Sequence, residues 1–210
     1  METAIHQLVV RNEKALDQEE TSVGGFLDTE GVFNNIFYDS MCAALAKHGV
    51  DYTIILVRCI RAALEGRLAT ASLGGFSRSV GVSRTCPRGG VLSPLLWCLV
   101  VDELIVRLNW GGVYTQGYAD DICLLAVGKF PNTVSGLIQW ALHTIETWFD
   151  ELALSVNSDK TELAAFTRRR KLPGLTEPRF FGTTLHRSMA VKYLGVNPEF
   201  TADLEGARGC

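Results

Sequence analysis

Tyr118-Ala119-Asp120-Asp121 sets two adjacent carboxylates between two runs of strand formers, Gly112-Val113-Tyr114-Thr115-Gln116-Gly117 before it and Ile122-Cys123-Leu124-Leu125-Ala126-Val127 after it. Neither flank offers a helix start, so the pattern predicts a hairpin with the acids at its tip. Adjacent carboxylates repel each other, and a cation between them relieves the repulsion. Mg²⁺ takes oxygen ligands, typically one or two carboxylates together with substrate phosphates. Turns also favour aspartate for purely local hydrogen-bonding reasons, and the two acids by themselves read as a plain turn. A third acid shifts that balance. Asp28 ends the apolar run Val23-Gly24-Gly25-Phe26-Leu27-Asp28. A strand over these residues, laid beside the hairpin, would bring three carboxylates to one spot. Two-metal phosphoryl and nucleotidyl transfer uses such a cluster, with ions about 3.5–4 Å apart on the attacking and leaving oxygens.

The elements that must position these acids are legible in the spacing. Ile5, Leu8, Val9, Ala15 and Leu16 predict an amphipathic helix over residues 4–18. Val23–Asp28 is the first strand. Asn34 or Asn35 caps a helix to about His48, stopped by Gly49, and Asp51 caps a second from Tyr52 to about Leu64. Leu68–Leu73 and Phe76–Val82 flank Gly74-Gly75, as a two-residue hairpin requires. Ser93-Pro94 opens a helix to about Asn109 that is apolar nearly all round and therefore expected to be buried. After the acidic hairpin, Asn132 caps a long helix to about Leu152, with Leu137, Ile138, Ala141, Leu142, Ile145, Trp148 and Phe149 on one face. Leu154–Asn157 and Thr161–Thr167 read as short strands or as a strand after a turn, Phe180–Thr184 and Val191–Val196 as closing strands, and the pattern fades beyond Asn197. The Asp28 strand and both hairpins then combine into one mostly antiparallel sheet with helices packed on one face, an α+β layer architecture.

Composition bounds the function. Of 210 residues, 47% are apolar and 20% charged, which suits a folded domain with its own core rather than a disordered chain. No run reaches the roughly 18 apolar residues of a membrane span, and the N-terminus lacks a basic-then-apolar leader, so the expectation is an intracellular protein, nuclear or cytoplasmic, with no membrane partner. The six cysteines form no Cys-x-x-Cys and the four histidines no ligand pair, which favours free thiols over zinc or disulfides. Net charge is −3, with eight acids and two bases in residues 1–39. The one basic cluster, Arg168-Arg169-Arg170-Lys171, suits a solvated loop or a phosphate-backbone contact equally well.

The chain resembles the reverse transcriptases of non-LTR, jockey-like or LINE-type retrotransposons. Five segments carry the resemblance in order: Phe26–Phe33 with Asp28 ending a strand and an aromatic five positions on; Pro87-Arg88-Gly89-Gly90-Val91-Leu92-Ser93-Pro94-Leu95-Leu96; Tyr118–Asp121; Ala153–Thr161 with Asn157, Lys160 and Thr161; and Lys192-Tyr193-Leu194-Gly195. It implies a polymerase palm and an RNA-directed DNA polymerase lineage. Asp28, Asp120 and Asp121 would hold two Mg²⁺ ions, with Mn²⁺ a possible substitute. The partners would be an RNA template, a DNA primer and deoxynucleoside triphosphates. Phe33 would exclude a 2′-hydroxyl. Gly89 and Gly90 would let backbone approach template and nucleotide. Lys160 would sit near the pyrophosphate, Tyr118 near the primer terminus, and Lys192, Tyr193, Leu194 and Gly195 would grip the primer end. Each also has an ordinary reading, as a core aromatic, a loop glycine, a surface lysine, a hairpin hydrophobe or an edge strand.

Two residues depart from the family's pattern: Arg88, at the position that would bind and orient nucleotide and template, stands where glutamine is usual, and Asn34 stands where many relatives have aspartate. On this resemblance residues 1–22 are the end of the fingers or a connecting helix, 23–196 the palm core, and 197–210 a frayed tail. Fingers upstream, a thumb downstream and an endonuclease domain do not fit in the chain, so polymerase chemistry is expected to be weak or absent in it alone. The alternative is a non-catalytic retroelement remnant, at most an interaction module. Missing segments would also leave the helix 4–18 face and Val191–Val196 exposed, with self-association through that apolar surface.

Overall fold

The computed structural model describes residues 2–29, 31, 35–49, 58, 61–62, 65–82, 93–156, 158–168, 173–188, 191 and 193–195. They run as helix α1 (Glu2–Asp17), strand β1 (Thr21–Asp28), α2 (Tyr38–Lys47), the hairpin β2 (Leu68–Leu73) and β3 (Phe76–Gly81), α3 (Ser93–Trp110), the hairpin β4 (Tyr114–Tyr118) and β5 (Asp121–Gly128), α4 (Pro131–Glu151), a 3₁₀ turn (Ser158–Lys160), β6 (Glu162–Phe166) and the short pair β7 (Arg179–Phe180) and β8 (Thr183–Thr184). The chain divides into two compact units, one of residues 1–30, 105–148 and 156–210, the other of 31–104 and 149–155.

The first unit holds a four-stranded sheet in the order β4-β5-β1-β6, and every neighbouring pair is antiparallel. This is the α+β architecture expected, except that helices pack on both faces of the sheet rather than one, α3 and α4 on one and α1 on the other. Among the described residues the β2–β3 hairpin forms its own two-stranded sheet, in place of the expected joint sheet, and β6 takes the fourth place beside β1. Strand alternation sorts the residues onto two faces. On one, Leu27, Ile122, Leu124, Ala126 and Leu163 are buried. The long helices back this face: a Cβ on Gly117 would lie 3.3 Å from Ile105 of α3, and one on Gly128 would lie 3.2 Å from Val134 of α4. Val134, Ile138, Ala141, Leu142 and Ile145 are fully buried along α4, as the periodicity predicts.

The other face carries Phe26, Cys123, Leu125, Ala164 and Phe166, which cluster with Leu8, Val191 and Tyr193. Here α1 packs over the sheet's far end. Ser22 Oγ donates to Asn12. Tyr114 donates through its hydroxyl to Gln7 (2.9 Å), and Arg11 lies 4.0 Å above the Tyr114 ring. The expected exposure of the α1 face and of the last strand is therefore corrected for the described residues: Leu8, Val191 and Tyr193 are buried because they cluster together on the sheet, and Ala15 of α1 is buried as well.

Two expected strands also differ, and over residues 154–167 the strand after a turn is the alternative formed: Leu154, Ser155 and Val156 have no regular structure, and the turn Ser158–Lys160 leads into β6. Residues 180–184 fold as a hairpin, turning at Phe181 and Gly182 (φ 45° and 78°). Leu194 and Gly195 form a turn at φ 52° and 78°, since a left-handed pair cannot continue a strand. α3 is buried along Leu96, Trp97, Val100, Val101, Leu104 and Leu108, yet Leu95, Val106 and Trp110 are exposed, so it is not enclosed all round.

In the second unit, α2 starts at Tyr38 rather than at the asparagines, because Phe37 before it is extended (φ −75°, ψ 147°) and makes no side-chain cap bond. Its inward face is Tyr38, Met41, Cys42, Ala44 and Leu45. The β2–β3 hairpin is exposed throughout. One of its faces pairs hydroxyls, Thr70 with Ser79 at 2.8 Å and Ser72 with Ser77 at 3.1 Å. The predicted helix from Tyr52 lies largely outside the described residues.

Gly24 and Gly25 of β1 face opposite layers and differ in room. A Cβ on Gly24 would meet the Phe26 ring at 3.0 Å and the Phe166 ring at 3.2 Å, whereas one on Gly25 finds only ordinary contacts at 3.5 Å and beyond. Gly24→Ala is therefore expected to destabilise the chain by about 1–3 kcal/mol through overpacking. Gly25→Ala should be neutral or stabilising by about 0.4–1 kcal/mol, by lowering unfolded-chain entropy. Urea unfolding midpoints of the two variants check this.

Candidate active site

The last rung of the β1–β5 ladder places Asp28 directly opposite Asp121. Opposed residues of an antiparallel pair share a face, with Cβ atoms about 4.5–5.5 Å apart. The next pair along, Thr29 with Asp120, is hydrogen-bonded, the Thr29 N–H donating to the Asp120 carbonyl at 3.2 Å. Ladder bonds alternate, so Asp28–Asp121 is a non-hydrogen-bonded pair, the kind whose side chains stand closer. Tyr118, opposite Asp121 on β4, extends the row. One row further in come Gln116, Cys123, Phe26 and Glu162.

These rows floor an open cleft of about 190 Å³, lined by Phe26, Asp28, Asp121, Lys160 and Glu162 with Tyr193, Leu194 and Gly195. At its edge α1 meets the inner row, where Gln116 Nε2 donates to the Ala4 carbonyl at 3.1 Å. Tyr193 forms the cleft wall: the ring leans on Phe26, centroids 5.2 Å apart, and Gln116 Nε2 donates to its hydroxyl at 3.3 Å. Burial pushes the Tyr193 phenol and the Cys123 thiol well above their ordinary ranges, so neither serves as an acid or nucleophile near neutrality.

Lys160, at the end of the 3₁₀ turn, puts Nζ 3.4 Å from Asp28 Oδ2. Asp120 sits in the two-residue turn, exposed, after Ala119 at φ 53°. Two-residue hairpin loops usually give that left-handed first position to glycine, asparagine or aspartate. The Asp120 carbonyl takes both the amide and the hydroxyl of Thr29, which is wholly buried. The structure thus brings Asp28, Asp121, Tyr118, Lys160, Tyr193, Leu194 and Gly195 to one end of one sheet face. Among the described residues, no three acids, histidines or cysteines already converge in a metal-holding group. Glu30, Phe33, Asn34, Arg88, Gly89, Gly90, Asn157 and Lys192 lie outside the described residues.

Thr29 and Glu162 escaped the sequence reading. Glu162 becomes visible only once β6 is set in register opposite Phe26, and Thr29 only once the turn carbonyl is known to lie beside it.

Asp121 carries the electrostatic signature of the site. Desolvation, then Asp120, then Asp28 raise its carboxyl above the usual range. The donor set is hard carboxylate oxygen, offset at Asp28 by the Lys160 ammonium, and fits a divalent cation of the Mg²⁺ class. In the absence of metal, a raised carboxyl favours the folded state when protonated. Its destabilising effect is absent below the ordinary carboxylate range and complete above the raised value. Asp121→Asn is therefore expected to raise the melting temperature of the metal-free chain by a few degrees at neutral pH. The gain should shrink to nothing as pH falls through the carboxylate range, as thermal melts in chelator across pH will show.

The family described as reverse transcriptase (RNA-dependent DNA polymerase) matches residues 2–198. A putative 115 kDa protein in the type-1 retrotransposable element R1DM of Drosophila melanogaster is 27% identical over 177 residues, 83% of this chain and 16% of that protein. The RNA-directed DNA polymerase from mobile element jockey of the same organism is 24% identical over 199 residues, 91% of this chain and 21% of its own length. The chain thus spans about a fifth of the length of these relatives. Among solved structures, an apo telomerase from Candida tropicalis, truncated from the C-terminal domain, superposes with a TM-score of 0.57 at 10% identity, covering 86% of this chain and 37% of that one, a likeness of fold. With a family match over nearly its whole length, on a sheet that sets Asp28 against Asp121, the chain belongs to the reverse transcriptase family.

Proposed function

We propose that this chain is the palm of a retrotransposon RNA-directed DNA polymerase, and that Asp28 and Asp121, with Asp120 beside them, hold the divalent cations of nucleotidyl transfer. The observation that carries the reading is the cross-strand Asp28–Asp121 pair on the open end of the sheet, with Asp121 pushed toward its neutral form by burial and by its acidic neighbours. Two Mg²⁺ ions, or Mn²⁺ in their place, would supply charge neutralisation at the primer 3′-hydroxyl and the departing pyrophosphate. The protein's own part is positioning: a fixed register presents the carboxylates, and the reaction needs little else from side chains. Lys160 neutralises Asp28 across 3.4 Å. On this reading it yields that carboxylate to a cation and is left facing the triphosphate. Tyr118, in the same row as the acids, and the Tyr193-Leu194-Gly195 wall would meet the primer end. Phe33, Gly89, Gly90 and Lys192 keep the roles the family pattern assigns them, and Arg88 stands at the nucleotide-orienting position with a bulkier, charged side chain than the family's glutamine. Residues 23–196 then form the palm and residues 1–22 the helix leading into it.

The substrates are an RNA template, a DNA primer and deoxynucleoside triphosphates. A second reading, a palm remnant without catalysis, draws on the same Asp28–Lys160 pair, which stabilises the acidic end with no metal present.

Primer extension by the chain on an RNA template, in Mg²⁺ or Mn²⁺, tests the proposal. Asp121→Ala is expected to lower the extension rate by at least about a hundredfold, the scale of losing a main electrostatic group. Equal extension by the variant would sink the polymerase reading. Cooperative melting with neither extension nor salt-dependent RNA binding would establish the remnant.

A further inference from the structure

We infer that Thr29 is a positioning residue for the acidic end of the sheet, fixing the Asp120 carbonyl and through it the separation of Asp28 from the acids of the turn. The inference rests on the metal-binding reading above.

Thr29 follows Asp28 directly, and its side chain is wholly buried. Its N–H and its Oγ1 both donate to one acceptor, the carbonyl of Asp120. A carbonyl oxygen has two lone pairs and accommodates both donors. Any residue at this position supplies the amide bond, but only a hydroxyl residue supplies the second. Two forces act to open this tip. Ala119 holds a left-handed backbone at φ 53° that carries strain in a residue with a Cβ. Asp120 and Asp28 both bear on the charge of Asp121, a repulsion between the turn and the end of β1 that the Lys160 ammonium, 3.4 Å from Asp28, offsets only on the β1 side. The two Thr29 bonds tie together the segments that this charge drives apart. The hydroxyl thereby keeps the acids of both strands within reach of one cation before that cation arrives, so less of the binding energy is spent on assembling the site.

The test is a titration of the full chain with Mn²⁺ alone, following free Mn²⁺ by electron paramagnetic resonance, with thermal melts in chelator alongside. Thr29→Val keeps the β-branched shape and removes the hydroxyl. It is expected to melt cooperatively and to bind Mn²⁺ about tenfold more weakly, the scale of one buried hydrogen bond. Thr29→Ser is expected to restore wild-type affinity. Asp28→Asn serves as the reference that a metal site exists. Wild-type affinity in Asp28→Asn overturns the metal reading and this inference together. Weakened binding in Asp28→Asn with wild-type affinity in Thr29→Val overturns the inference alone. Should Thr29→Val fail to melt cooperatively, the Thr29→Ser and Thr29→Ala pair isolates the same hydroxyl, and equal affinities in the two overturn it.

Discussion

Eight consecutive residue pairs, from Thr21 with Gly128 to Asp28 with Asp121, hold β1 against β5 in a single register. Side chains on a strand alternate between faces, so a slip of one residue would send Asp28 to the face that α3 and α4 back and bring Leu27 into the cleft. Burial on both faces forbids the slip. Leu27, Ile122, Leu124 and Leu163 fill one layer, and Phe26, Cys123, Leu125 and Ala164 fill the other. The apolar residues thus do the positioning, and the two acids take their places from it.

That positioning works against the folded state at its own end. Opposed carboxylates on half-buried strand ends lose hydration and gain repulsion. The raised Asp121 carboxyl, the left-handed Ala119 and the Lys160 ion pair all lie within this small region. Strain and unfavourable charge are thus concentrated at one end of an otherwise well-packed sheet, a pattern common at functional sites. The remainder of the unit offsets it: α1 lies over the far end of the cleft face, and the Gln116–Tyr193 contact joins the cleft wall to the sheet.

Much of this was legible in the residues. The acidic hairpin, the strand ending on Asp28 and the long amphipathic helix after them follow from alternation and periodicity, and their order suffices for the α+β arrangement. What escaped reading depends on tertiary register or on turn geometry. Glu162 faces the cleft only because β6 pairs with β1 as it does. Leu194-Gly195 reads as strand from its apolar pattern, yet both residues adopt left-handed backbone. The first hairpin has the same alternation as the second, with hydroxyls on one face and Ala69, Leu73, Phe76 and Val80 on the other, and alternation alone does not say whether such a hairpin joins a sheet. The α1 face reads as uncovered because its partners, Val191 and Tyr193, are nearly two hundred residues away in sequence.

The central claim is that one cation touches the ends of both β1 and the β4–β5 turn. Fe²⁺ substituted for Mg²⁺, with ascorbate and peroxide, generates hydroxyl radical at the bound ion and cuts the backbone beside it. The account predicts two cuts of similar strength, one next to Asp28 and one next to Asp120 and Asp121, both suppressed by excess Mg²⁺. Cleavage beside only one of these segments, or at sites away from both, would contradict it.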